Sequence, residues 1–171
     1  LTSVGDADVA EAYPNINRGM GDDMWVGYDE QPESMARTVR SLVRFNLAPI
    51  PSGATIDSAR LRVYLIASYD YPNRWRRVTA YRPTADWNEI SVTWSNAPGF
   101  AEAYGSVDLP TSSWNWYEID VTNLVRAWIA GTYPNYGIML RGPEVSGDES
   151  SVRMFSTREG DYPPQLVVNY R

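Results

Sequence analysis

A chain of 171 residues suits a single domain, able to bury roughly 70% of the surface its unfolded form exposes. It has no cysteine and no histidine, and all 15 basic residues are arginine. These absences exclude Ser-His-Asp and Cys-His catalysis, His/Cys zinc sites, thiolate nucleophiles and lysine Schiff bases, and leave only hard-metal sites built from carboxylates and carbonyls. The net charge of −6 argues against nucleic acid as a partner, because duplex binding relies on clustered basic groups.

Taken in chain order, the sequence reads as strand after strand. Asp8 to Tyr13 and Asp23 to Tyr28 open the series. In Arg37 to Leu47, Val39, Val43, Phe45 and Leu47 share one parity against Arg40, Arg44 and Asn46. Pro49-Ile50-Pro51-Ser52-Gly53 is turn chemistry. Ala59, Leu61, Val63 and Leu65 then alternate against Arg60, Arg62 and Tyr64, so two half-buried strands that pair with one another are expected. Arg77 to Arg82, Glu102 to Leu109 and Trp116 to Ile119 follow.

One short helix interrupts the pattern. Asp120 or Thr122 is placed to cap it, and Leu124, Val125, Trp128 and Ile129 recur on one helical face. Gly131 and Pro134 end it. Tyr136 to Arg141, Val152 to Thr157 and Gln165 to Tyr170 complete about ten strands. Twelve glycines, twelve prolines and no internal repeat or linker predict one all-β module over residues 1–171, an antiparallel two-sheet β-sandwich of jelly-roll type with one short α-helix.

No apolar run is long enough to span a membrane, and the opening LTSVGDADVAEAY lacks a charged-then-apolar leader, so a mature or excised soluble fragment without membrane insertion is expected. The absence of cysteine is in keeping with an exported prokaryotic protein.

Four segments together resemble the DNRLRE domain family, the disaggregatase-related modules of secreted and cell-surface proteins of bacteria and archaea. They are LVRFNLAPIPSGATIDSARLRVYL, WNEISVTWSNAP, IDVTNLVRAWIAGTYPNYGIML, and FSTRE with the closing PPQLVVNY. Near the start the chain departs from that pattern, with Asn17-Arg18-Gly19 where an aromatic residue is usual before the glycine. The resemblance implies a β-sandwich attached to other domains of the same polypeptide, either a polysaccharide-degrading enzyme or an adhesive surface protein, and one branch of the family binds alginate. A noncatalytic polysaccharide-binding module, for an acidic chain such as an alginate-like uronan, is therefore expected; a structural stalk module and a small lyase or hydrolase are the alternatives.

Seven tryptophans must be divided between core and surface. Trp87, Trp94 and Trp128 lie inside the family-like motifs and are expected in the core. Trp25, Trp75, Trp114 and Trp116 lie outside them or at ambiguous parity. The loop SYDYPNRWRR is the most suggestive stretch, because flat rings suit the apolar faces of sugars while a hydroxyl rim needs planar polar partners. It supplies Tyr69, Tyr71 and Trp75 with Asp70, Asn73, Arg74 and Arg77; the bland alternative is that these rings cover a sandwich edge.

Trp114 and Trp116 have strand spacing that would place both rings on one face, as a second sugar contact or as core. Arg40, Arg44, Arg60 and Arg62 share outward parity, which could make a guanidinium strip for uronates; pairing with nearby carboxylates explains them better. Asp8, Asn15, Asp22 and Asp23 lead an early cluster of oxygen ligands that would suit one structural calcium ion, with a solvated acidic loop as the alternative. Two-carboxylate catalysis needs a defined pair, and Glu89, Glu118, Asp120 and Glu159 all have ready structural roles.

Overall fold

The computed structural model describes residues 1–29, 37–70, 74–144 and 150–171. Ten strands and one helix follow one another: β1 Ser3–Ala10, β2 Asp23–Asp29, β3 Arg37–Phe45, β4 Ile56–Asp70, β5 Arg76–Pro83, β6 Phe100–Leu109, β7 Asn115–Asp120, α1 Thr122–Ile129, β8 Ile138–Arg141, β9 Ser151–Ser156 and β10 Gln165–Tyr170. All the pairings are antiparallel. The fold is the expected all-β sandwich.

The hydrogen-bonded path runs β10-β4-β9-β2-β3-β8-β5-β6, with β7 on the free side of β4 and β1 on β3. It curls over itself into two layers. Layer A holds β7, β4, β9, β10 and the first half of β2; layer B holds β1, β3, β8, β5 and β6. The fold-over is β2, whose Asp23–Val26 pairs with β9 while Gly27–Asp29 pairs with β3. Gly27 sits at that change with φ +120, and a Cβ there would lie 2.5 Å from the Ser151 carbonyl oxygen. Only glycine fits such a corner without strain.

Alternation fills the space between the layers. Ala59, Leu61, Val63 and Leu65 of β4 point inward, as do Val43 and Phe45 of β3, Ile138 and Leu140 of β8, Phe155 of β9 and Leu166 of β10. The helix closes one side with Leu124, Val125 and Trp128 buried. Its first turn is tied down twice: Asp120 Oδ1 accepts from the Thr122 amide at 2.9 Å, and Thr122 Oγ1 accepts from the Ala59 amide at 3.0 Å. Gly131, φ +70, ends it, with Gly131 N–H donating to Trp128 O and Thr132 N–H to Ala127 O.

The expectation that β3 and β4 pair is corrected. Residues 46–55 carry the chain from layer B to layer A, so β3 pairs with β1, β2 and β8 while β4 pairs with β7, β9 and β10. The four outward arginines therefore lie on opposite outer faces and form no strip. Parity sets which side of a strand is buried but not which strand is its neighbour.

The two outer faces differ. That of layer B is covered by the 84–98 segment, whose Trp87 and Val92 are buried, and Trp94 partly so, against Ala7, Val9, Leu42 and Met139. Arg40 stacks over Trp94 at 4.8 Å and Arg44 over Trp87 at 4.8 Å, while Glu144 takes a bidentate pair from Arg40 and Asp86 takes Arg44. Among the described residues, the outer face of layer A has no such cover.

Candidate functional site

Two connections cross between the layers at the same end of the sandwich. Residues 71–75 lead from β4 to β5 and residues 110–114 from β6 to β7. Each carries a tryptophan that the fold leaves outside: Trp75 is 68% exposed and Trp114 67%, and Tyr69, on the last turn of alternation in β4, is 56% exposed. Isolated exposed apolar residues need no explanation, but three large exposed rings borne by these two crossings and the adjoining end of β4 make a candidate contact surface.

A buried ionic plug holds this end together. Arg153 of β9 is fully buried, with its Nη1 donating to Asp70 Oδ2 at 2.8 Å and to Val152 O at 3.1 Å, and its Nη2 to Arg74 O at 2.7 Å and Leu109 O at 3.3 Å. Arg76 closes on the same Asp70 carboxylate with a two-pronged contact at 2.9 and 2.8 Å. One guanidinium thus ties the β4 end, the start of β5 and the end of β6. Burial from water pulls Arg153 down from its ordinary pKa, and the Asp70 contact opposes that pull. The second crossing is pinned by Ser68 Oγ donating to Thr111 O at 2.6 Å and Trp114 N–H donating to Leu65 O at 2.5 Å.

This geometry sorts the residues expected from sequence. Tyr69, Trp75 and Trp114 stand exposed at the same end, and Arg77, also exposed, forks onto Asp108 at 2.8 and 2.9 Å. Arg74 is exposed and its carbonyl serves the plug. Tyr71 and Asn73 lie outside the described residues. The expectation that Asp70 faces a ligand is corrected: its side chain has no exposure and both oxygens are taken by Arg76 and Arg153.

The expectation that Trp114 and Trp116 share a strand face is also corrected. Trp114 precedes β7 and has φ +67, a left-handed residue that breaks the alternation. Trp116 lies opposite Tyr64 on the outer face of layer A, with the two rings edge-on at 5.2 Å. Trp25 reaches the same face, 6.3 Å from Tyr69, with its indole N–H donating to Asp23 and Arg18 stacked 5.1 Å over its ring.

Among the described residues, Asp8, Asp22 and Asp23 do not converge their carboxylates on one point, although Asp23 lies near enough to Asp8 to act on its charge. Asp8 is buried against Arg18 at 3.0 Å, Asn15 accepts from Ser95, Asp23 accepts from Trp25, and the Asp22 carbonyl accepts from the Thr157 amide. Among the described residues, the carboxylates that converge are Asp6, Glu89 and Glu159, with one oxygen of each within 4.8 Å of the others. Arg158 already occupies the middle, paired with Glu89 at 2.8 Å and Glu159 at 2.9 Å, while its backbone N–H donates to Asp6. The trio is an ion-pair cluster and does not fit calcium, which takes roughly six to eight oxygens of its own.

Burial raises both Asp6 and Asp8 from the ordinary value of 3.8 to about 6, against the opposing contacts from Ser3 and Arg158 in the first case and Arg18 in the second. A raised folded-state value means that the folded protein holds more protons than the unfolded chain between about pH 4 and 6. The stability these groups add is present below about pH 4 and lost as pH rises through about 6. The carboxyls of Asp86, Glu102, Asp108, Asp120 and Glu144 are shifted down, so their opposite effect falls below this window. Asp8→Asn is therefore expected to raise the melting temperature more at about pH 7 than at about pH 4.5; an equal change at both would show that Asp8 ionises freely in the fold.

The family model of carbohydrate-binding module family 96 matches residues 1–170. The chain belongs to this family. No curated protein matches it. The match supports the carbohydrate-binding side of the resemblance drawn from sequence. Carbohydrate-binding modules are typically noncatalytic, and the exposed rings are the natural place to look for sugar contact.

Among the described residues, sequence reading missed Tyr64, Tyr162 and Gln165, which with Arg62 surround Trp116. Outward parity in RLRVYL already exposed Tyr64 and Arg62 to view, as two more members of an alternating strand. Tyr162 had no such signal, because a loop and not a strand puts it there.

Proposed function

We propose that this family 96 module is the polysaccharide-binding part of an exported polysaccharide-degrading or cell-surface protein, and that it grips its chain at the end where Tyr69, Trp75 and Trp114 stand exposed. The observation that carries the reading is the exposure of both tryptophans on crossings fixed to one buried arginine. A rigid mount matters because a ring already held in place loses little entropy on binding. Each ring offers an apolar face to the C–H side of a sugar.

For an acidic chain of the alginate-like uronan class, the carboxylates would meet Arg77 by exchanging with Asp108. Solvent screens an exposed ion pair of this kind, so the exchange costs little. A neutral glycan is the second reading, favoured by the pairing of Arg60 with Asp120, Arg62 with Glu118 and Arg77 with Asp108. Calorimetric titration against alginate, pectate, chondroitin and a neutral glucan separates the two. Uronan binding that weakens as salt is raised supports the first reading; salt-insensitive binding of the glucan alone selects the second, and no binding to any of them refutes both. Melting curves in calcium and in EDTA test for a structural ion: the Arg158-filled cluster predicts equal melting temperatures, and a rise in calcium would reinstate the ion expected from sequence.

A further inference from the structure

The outer face of layer A, uncovered among the described residues, carries a second group of rings that the end of the sandwich does not use. Trp116 of β7 stands opposite Tyr64 of β4, and Tyr162 stacks on Tyr64 at 3.9 Å with an interplanar angle of 19°. Tyr162 also lies 6.4 Å from Trp116, nearly perpendicular to it. Arg62 covers the Trp116 ring at 4.7 Å and donates to Gln165 Oε1 at 2.8 Å, with Glu118 at 3.2 Å. The group combines ring faces with planar amide, carboxylate and guanidinium groups, as a sugar requires.

Tyr162 is not there by strand alternation. β9 and β10 run in line along the same edge of β4, with Phe155 opposite Leu65 and Gln165 opposite Arg62. The chain between them leaves the edge and comes back, and this excursion lays Tyr162 over the face. It is anchored by Thr157 Oγ1 donating to Gly21 O at 2.7 Å, by the Arg158 amide on Asp6 and by the Tyr162 amide donating to Ser156 Oγ at 3.1 Å. The ring is therefore held in place from both sides of its loop.

The two groups share a strand. From Tyr64 the outer face of β4 continues past Ala67, with Met154 opposite, to Tyr69 and its neighbour Trp25. A bulge between Leu65 and Ala67 leaves four ladder steps from Tyr64 to Tyr69, which at about 3.3 Å each put them roughly 13 Å apart, long enough for a short run of sugar units.

We infer that a polysaccharide lies along the outer face of β4, so that the module holds an internal segment of its chain, with Tyr69 and the crossing that carries Trp75 at one end of the track and Tyr64, Trp116 and Tyr162 at the other, where the Trp114 backbone also meets β4 at Leu65. This rests on the carbohydrate-binding reading above. It assigns the ligand a mode of recognition: a run of sugar units and not a chain terminus.

The test is an affinity series over oligosaccharides from disaccharide to octasaccharide, cut from whichever polysaccharide the wild-type domain binds. Affinity is expected to rise at least tenfold from the shortest to the longest. Tyr162→Ala is expected to remove most of that rise while leaving disaccharide affinity within about twofold; its ring sits on a surface excursion, and a melting curve checks that the fold is kept. Trp116→Phe keeps a ring in the sheet and is expected to lose a smaller part of the rise. Equal affinity for short and long oligomers, or a Tyr162→Ala domain that binds long oligomers like wild type, would overturn the track while leaving the end site standing. A wild-type domain that binds no polysaccharide would overturn the carbohydrate-binding reading itself, and the track with it.

Discussion

Arg153→Met is expected to destabilise the domain by about 3–5 kcal/mol, the usual result of leaving one partner of a buried ion pair behind. For a chain of this size that corresponds to a fall in melting temperature of roughly 6–20 °C. The reason lies in what one side chain does: Arg153 supplies hydrogen bonds to the Asp70 carboxylate and to the carbonyls of Arg74, Leu109 and Val152, none of which an apolar side chain replaces. Arg153→Lys keeps the charge but not the planar fork, and an intermediate loss is expected. Thermal unfolding measures both variants. Because Arg74 and Leu109 border the two crossings, the same substitution is expected to speed amide exchange in residues 74–76 and 109–114 and to weaken polysaccharide binding, although Arg153 itself touches no solvent. A variant as stable as wild type would show that the plug contributes little net energy.

The second large effect falls on binding. Removing both Trp75 and Trp114 takes away the two most exposed indoles of the described structure. Tryptophans at the centre of an interface commonly contribute about 2 kcal/mol or more each, which is roughly a 30-fold loss of affinity per ring. Neither belongs to the hydrophobic clusters of the interior, so stability is expected to change by less than about 0.5 kcal/mol. The separation of the two effects is what distinguishes a contact surface from a sandwich edge that simply happens to be aromatic. Arg153→Met and the double tryptophan change thus act on one site by different routes, the first through the mount and the second through the rings.

The alternating strands were readable from sequence because burial on a sheet has a period of two. β4 shows this most plainly, with Ala59, Leu61, Val63 and Leu65 all buried and Arg60, Arg62 and Tyr64 turned outward. The helix was readable from its apolar face and glycine stop at Trp128 and Gly131, although the N-cap is Val121 with no side-chain cap bond and Asp120 instead accepts from the Thr122 amide from just outside it. Pairing was not, since alternation carries no information about which strand lies alongside; the turn after β3 looked like a hairpin and is a crossing between layers. The aromatic loops stood out by composition, and Trp75 and Trp114 are indeed exposed. Asp70 looked like a rim residue because nothing local foretells that Arg153, more than eighty positions away, closes on it at 2.8 Å. Trp114 misled for a backbone reason, a single left-handed residue at the start of β7.

The most direct measurement is titration of the wild-type domain and of the Trp75→Ala/Trp114→Ala variant with the same polysaccharide, alongside melting curves for both. Sugar contact at the exposed rings predicts saturable binding by the wild type, a loss of at least about 100-fold in the variant, and melting temperatures that coincide. Binding by the variant at wild-type strength, with its fold intact, would contradict it.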